Sequence, residues 1–321
     1  MNVLCRVVAG IAVALAPALV IAQAYPDKPI RMVLPSPAGS TPDLLARMVQ
    51  ADLSRLLGQQ VVIDNRAGAG GLIGAEFVAR ASPDGYTLLW ANAGPLTVLQ
   101  HLQKLSFDPL KDFAPISLVS NGPMVLVSHP SVPVTTVREL IALAKKKPGQ
   151  LDYASFGSGN VNHLAMEQFK SMTGVSITHV PYKGSPPART ALLGGHVHVL
   201  FTSLPPALSD SRSGRLRALG VTSVKRSLLL PEVPTISEAG VTGYESGSWF
   251  GLLAPAITPN AIVARLNEAL VKVVRSPEIW SRFESEGSDP VGSSPGEFAA
   301  FIRAESEKNA KLVKISGAKL D

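Results

Sequence analysis

Along this chain, short continuous apolar runs alternate with stretches whose apolar residues recur every three or four positions. That alternation predicts strands and amphipathic helices in turn, and hence an α/β fold. A strand over Ile30–Leu34 leads into a helix over 42–57, with Leu45, Met48, Val49, Leu53 and Leu56 on one face and Gly58 to stop it. A strand at Val61–Ile63, a helix over Gly71–Ala81 and a strand at Tyr86–Trp90 complete a β-α-β-α-β unit with parallel strands. A looser stretch, Asn92–Asn121, precedes a strand at Pro123–Ser128 and a helix over 137–147 opened by a Thr136/Glu139 capping box.

From Leu151 the pattern returns. A strand at Leu151–Ser155 meets the loop Phe156–Asn160, then a helix carrying Val161, Leu164, Ala165, Phe169 and Met172, ended by Gly174. A strand at Val175–Val180, a helix at Pro186–Leu193 and a strand at Val197–Phe201 complete a second unit. Strand Leu216–Thr222, a short helix capped by Thr235 and Glu238, and strand Trp249–Leu253 follow. Two helices, Pro259–Arg275 and Pro295–Lys311, come last and have no sheet of their own, so they are expected to cover the first unit. This organisation gives a discontinuous first domain (25–122 with 226–321) and a second domain (123–225). The two crossings between them act as a hinge, and both units aim their loops into the cleft, since ligands bind beyond the carboxyl ends of strands in open α/β sheets.

Residues 1–24 stand apart. Arg6, an apolar run from Val7 to Ile21 and the A-x-A site Ala22-Gln23-Ala24 have the form of a secretory signal, cleaved after Ala24. The chain left begins at Tyr25 and has 321 − 24 = 297 residues. The single cysteine, Cys5, lies in the signal, so the exported chain has no disulfide, thiol nucleophile or cysteine metal ligand. Export without disulfides fits a bacterial periplasm. Losing Arg6 lowers the net charge from +6 to +5, a balance that steers anionic ligands but is not a nucleic-acid footprint.

Enzyme motifs are few. Phe156-Gly157-Ser158-Gly159-Asn160 lacks the G-x-S-x-G elbow, and neither H-E-x-x-H nor a P-loop occurs. The run Gly68–Gly74 invites a dinucleotide reading, but Ile73 stands at the third glycine; a tight turn packing a helix on a sheet fits better. His196 and His198 share a strand face, with no third metal ligand nearby. His163 sits in the first turn of a helix, where it can donate to an anion or cap its own loop. What remains is a set of small polar residues at strand ends. Ile30–Leu34 breaks into Ser36-Pro37-Ala38-Gly39-Ser40-Thr41, whose amides at a helix start suit an anion, although every α/β protein has such connections. Ala91, Asn92, Ser155, Ser158, Asn160 and Thr202 join that set. It binds and releases, with no acid–base pair.

The chain resembles the periplasmic solute receptors of tripartite tricarboxylate transporters, the Bug-type binding proteins. The resemblance rests on Tyr25–Arg31, Leu57–Gly71, Pro83–Leu89, His179–Gly184, Leu216–Leu219 and Trp249–Pro255, in order and at spacing. It implies a two-domain, type II periplasmic-binding-protein fold that closes like a Venus flytrap on a small carboxylate. It further implies a monomer that uses no cofactor, binds no nucleic acid and serves membrane permease subunits. By this resemblance Ser36 to Thr41 wrap one carboxylate, and Ser155, Ser158, Asn160 and His163 add contacts from the second domain. Two departures matter: Ser36 stands where the family usually has an aromatic, and Thr202 where it often has an aspartate that meets a ligand amino group. The second departure argues for a non-amino carboxylate, because a buried ammonium would lose its partner. A sensor subunit facing a signalling kinase, or an enzyme using Ser158 and His163 on a carboxylate or ester, are the alternatives.

Overall fold

The computed structural model describes residues 25–320. The expected secretory signal and its cleavage site lie outside the described residues.

The first unit forms as the hydrophobic pattern requires: β1 (Ile30–Leu34), α1 (Thr41–Leu57), β2 (Val61–Asn65), α2 (Leu72–Ala79) and β3 (Thr87–Ala91). Gly58 ends α1 in a left-handed conformation, its N–H donating to Ser54 O. A 3-10 turn at Ala69–Gly71 precedes α2, and a π-helical turn at Gly94–Val98 runs into a 3-10 turn at Leu99–His101 after β3. Next come β4 (Phe113–Gly122), β5 (Met124–Ser128), α3 (Val137–Lys146), β6 (Asp152–Ser155), α4 (Val161–Thr173), β7 (Thr178–Pro181), α5 (Ser185–Leu193), β8 (Val199–Ser203), α6 (Leu204–Arg212) and β9 (Arg217–Val221). The chain ends with β10 (Ser248–Pro255), α7 (Asn260–Val274), α8 (Pro277–Ser285), β11 (Asp289–Pro290) and α9 (Pro295–Ser316).

The strands form two sheets, ordered β11-β4-β10-β3-β1-β2 and β7-β6-β8-β5-β9. In each, the first strand of the β-α-β-α-β unit lies between its two parallel partners: β1 between β2 and β3, β6 between β7 and β8. An antiparallel strand then flanks each unit, β10 beside β3 and β5 beside β8. Each sheet is covered on both faces. Leu45 and Val49 of α1 share a core with Leu266 and Leu270 of α7, while Ala75 of α2 and Phe298 of α9 pack on the other side. Leu140 of α3 and Phe169 of α4 cover one face of the second sheet, and Ala188 of α5 and Ala207 of α6 the other.

Four elements depart from the sequence reading. The stretch expected to be loose contains β4, which pairs with β10 through irregular register, Pro115 standing opposite Leu253 at one shift. A proline cannot donate to the ladder, and a bulge is where a sheet tolerates one. Helices α6 and α8, absent from the reading, each begin with proline in the first turn. The short helix expected at Thr235 is a single turn. Its capping bonds are present, Glu238 N donating to Thr235 Oγ1 (3.0 Å) and Thr235 N to Glu238 Oε2 (3.0 Å), but Gly240 at φ 111° ends it.

The chain passes from sheet to sheet at Gly122-Pro123 and again just before Ser248, where Ser248 pairs with Gly122. Thr222 ties the two crossings together, its Oγ1 accepting from Met124 N (2.8 Å) after the first and its carbonyl from Ser246 N (3.1 Å) before the second. Ile236, Val241 and Tyr244 belong to the second sheet's core, later along the chain than the crossing expected at 226.

Candidate binding site

Between the two sheets lies a cavity of about 410 Å³. That volume lies within the range of small-molecule sites, from about 300 to 1,000 Å³. Its walls come from both halves: Ser36, Ser40, Thr41 and Asn92 from the first, and Ser158, Asn160, Tyr182 and Ser203 from the second. The N-cap residues of α1, α2, α4, α5 and α6, namely Ser40, Gly71, Asn160, Gly184 and Ser203, all line it. None of the five makes a side-chain capping bond to its own helix. Of the helices that begin elsewhere, α3 and α9 carry complete capping boxes at Thr136/Glu139 and Ser294/Glu297, while α7 and α8 have no side-chain cap. First-turn N–H groups left uncapped are donors awaiting an acceptor, although Pro42, Pro186, Pro187, Pro205 and Pro206 supply none, and the helix dipole adds positive potential at the same place. Among the described residues, Lys183 is the one charged side chain on the wall, and no Asp or Glu is there. Such a wall favours an anion.

The loop before α1 is braced from behind. Asp43 is buried and accepts hydrogen bonds from Gly39 N (3.0 Å), Arg47 Nε (2.9 Å), Arg47 Nη2 (3.0 Å) and Asn65 Nδ2 (3.0 Å). Burial alone would raise its carboxyl, but the bonds from Arg47, Gly39 and Asn65 and the Arg47 charge outweigh that and hold it below the ordinary carboxylate value. Asn65 Nδ2 also donates to Ser36 O (3.1 Å), fixing the loop's start. The Ser36 hydroxyl itself is buried with no partner among the described residues.

The loop after β6 has its own brace. Gly159 N donates to His163 Nδ1 (3.1 Å), and Ser155 Oγ lies 2.6 Å from His179 Nε2 while accepting from Gly157 N (3.2 Å). The His163 and His179 rings stack at 4.3 Å, and His179 stacks on Tyr153 at 4.7 Å. His163 therefore supports the loop, in line with the capping alternative.

Of the residues singled out in the sequence, Ser36, Ser40, Thr41, Asn92, Ser158 and Asn160 meet on the wall. Ala38 and Gly39 are exposed and off it; Ala91, Ser155, His163 and Thr202 are buried and off it. At the end of β8 the wall residue is Ser203, one position beyond Thr202. Sequence reasoning missed Ala67–Gly71 and the Pro181–Ser185 turn as wall. The glycine run was read only as a packing device, and it is that too: a Cβ on Gly74 would stand 3.0 Å from Arg66 O and from Pro35 Cα. His196 and His198 precede β8 (Val199–Ser203) rather than sharing a strand face as expected; Asp152 N donates to His198 Nδ1 (2.9 Å), and no group of three metal-ligating residues occurs among the described residues.

The two lips touch. Thr41 Oγ1 and Ser203 Oγ lie 2.7 Å apart across the cleft. A Cβ on Gly184 would stand 2.5 Å from Pro37 Cγ, and one on Gly70 would stand 2.9 Å from Ser158 O. This is a closed conformation, with glycines where the backbones approach most closely.

Known proteins are similar to this chain in sequence and fold. The model of the tripartite tricarboxylate transporter family receptor matches residues 45–318. Protein BugT of Bordetella pertussis is 39% identical over 301 residues, covering 93% of this chain and 92% of that protein. Rpa4515 of R. palustris, solved with adipate, superposes with a TM-score of 0.89 at 38% identity, covering 92% of this chain and 100% of that one. MatC from Rhodopseudomonas palustris, solved with bound malate, gives a TM-score of 0.86 at 31% identity, covering 90% and 100%. The fold is thus the two-domain binding-protein fold, and the chain belongs to the tripartite tricarboxylate transporter receptor family.

Proposed function

We infer that this chain is an extracytoplasmic solute-binding receptor that closes on a small carboxylate and presents it to the permease of a tripartite transporter. The observation that carries this reading is the set of five helix N-caps lining one cavity whose wall, among the described residues, holds no carboxylate. Backbone donors and dipoles from both halves meet a carboxylate only when the cleft is shut, so binding selects the closed state. Among the described residues the same wall has no anion to pair with an ammonium, which supports a non-amino acid as ligand. The adipate and malate held by the two relatives are acids of this kind. The chain acts as a monomer in the periplasm, released from its signal after Ala24, and leaves its ligand chemically unchanged.

The test is a thermal-shift panel of mono-, di- and tricarboxylates, aromatic acids and amino acids on the purified chain starting at Tyr25. A ligand at a hundredfold excess over its Kd stabilises by about 2.7 kcal/mol. A shift with a non-amino carboxylate recovered intact supports the reading. Tight binding of glutamate or aspartate, or turnover of the acid, would overturn it. Amino-terminal sequencing of the exported protein checks the cleavage point.

A further inference from the structure

After α9 the chain turns at Gly317, left-handed at φ 65°, and residues 317–320 run back to the cleft. Ala318 is buried in the core cluster that also contains Val98, Leu164 of α4 and Phe298 of α9. Leu320 then lines the ligand cavity, together with Leu99 of the 3-10 turn and Val161, the first residue of α4. Gly159 marks where they converge: a Cβ there would stand 2.0 Å from Leu99 Cδ2 and 3.3 Å from Leu320 Cδ2. The element that delivers Leu320 is held on both halves. Asn309 Nδ2 donates to Thr97 Oγ1 (3.0 Å) and Gln100 Nε2 to Ser306 Oγ (2.9 Å) on the first; Ser171 Oγ donates to Ile315 O (3.2 Å) on the second.

We propose that Leu320 is a specificity-determining residue, completing with Leu99 and Val161 an apolar wall against which the hydrocarbon part of the ligand packs. The ligand's carboxylate meets the helix N-caps, and its carbon chain meets this patch. The substrate class is therefore an acid with an aliphatic or aromatic body rather than a short hydroxylated one. This rests on the receptor reading above and adds the segment after α9 to the site.

The test compares wild type and Leu320→Ala by calorimetric titration with malate, adipate and octanoate. Half-burying a leucine side chain against a ligand corresponds to roughly tenfold in affinity. The variant should lose about that factor for the wild type's better ligand among adipate and octanoate, and less than twofold for malate. A uniform loss, or none, overturns the proposal. A second measurement needs no ligand: amide exchange at residues 158–161 should quicken in Leu320→Ala and in a chain ended at Ser316, because Leu320 covers Gly159. Unchanged exchange overturns the placement of Leu320 even where all three acids bind. Failure of wild type to bind any of the three acids, with quickened exchange in the variants, counts against the receptor reading instead.

Discussion

At the residue scale, Ser36 and Asp43 pull in opposite directions. The Ser36 hydroxyl is buried without a partner among the described residues, on the wall proposed to receive an anion. An unsatisfied buried hydroxyl costs about 1–3 kcal/mol, and a ligand oxygen that bonds it recovers part of that. Ser36→Ala is therefore expected to leave the ligand-free melting temperature unchanged or higher while weakening binding by about 1 kcal/mol. Unaltered affinity in calorimetry would remove Ser36 from the contact. Asp43 instead holds the loop in the ligand's absence, through bonds to Gly39, Arg47 and Asn65. Its folded pKa is depressed, so its stabilisation is complete above the unfolded value near 3.9 and is lost as pH falls from there through the folded value. Asp43→Asn should lower stability by about 1–3 kcal/mol at neutral pH and flatten the acid limb of the melting curve below about pH 4. Parallel acid limbs for the two proteins would rule this out.

At the scale of elements, Gly184 joins β7 to α5 and meets Pro37 of the loop between β1 and α1. A Cβ there would stand 2.5 Å from Pro37 Cγ, at a backbone φ of 107° that side chains rarely adopt. Gly184→Ala should wedge the lips apart and cost binding at least tenfold while each half keeps its fold, read by calorimetry beside circular dichroism. Wild-type affinity would show that the lips never meet this closely in solution. The elements carrying this machinery differ in how legible they are in the sequence. Strands β1 and β6 and helices α1 and α4 have strong periodicity and glycine stops, and appear within a residue or two of expectation. Strand β4 does not, because Pro115 interrupts it and only pairing with β10 at a register shift makes it a strand. Helix α6 is masked by Pro205 and Pro206, which read as a loop unless taken as a helix's first turn. The site divides in the same way. Small polar residues at helix starts signal themselves, as Ser40, Thr41 and Asn160 do. Wall residues brought in by tertiary packing, such as Leu99, Tyr182 and Leu320, carry no local signal. Ser155 and His163 are the converse: singled out for their type and position, they are turned inward to brace the loop.

At the scale of the molecule, the two sheets are joined by strands crossing side by side at Gly122 and Ser248, and stapled by Thr222. That geometry permits rotation about the crossing: three of the four core clusters lie wholly on one sheet, and the fourth takes in Leu164 of α4 beside Val98 and Phe298, so opening must part that contact. The hydroxyl pair Thr41–Ser203 spans the cleft and exists only when it is shut. Its contribution therefore belongs to the closed state alone and enters the affinity of any ligand that requires closure. Thr41→Ala and Ser203→Ala should each raise Kd, leave the ligand-free melting temperature unchanged, and show a double-mutant coupling of about 0.5–1.5 kcal/mol, the worth of one net hydrogen bond. Small-angle scattering supplies the matching structural readout. The ligand-free chain is expected to have a larger radius of gyration than the acid-bound chain, and the double variant should need more acid to reach the compact value. Strict additivity of the two substitutions, with an unchanged compaction curve, would mean that the pair contributes nothing to closure and that the N-caps and the ligand alone hold the cleft shut.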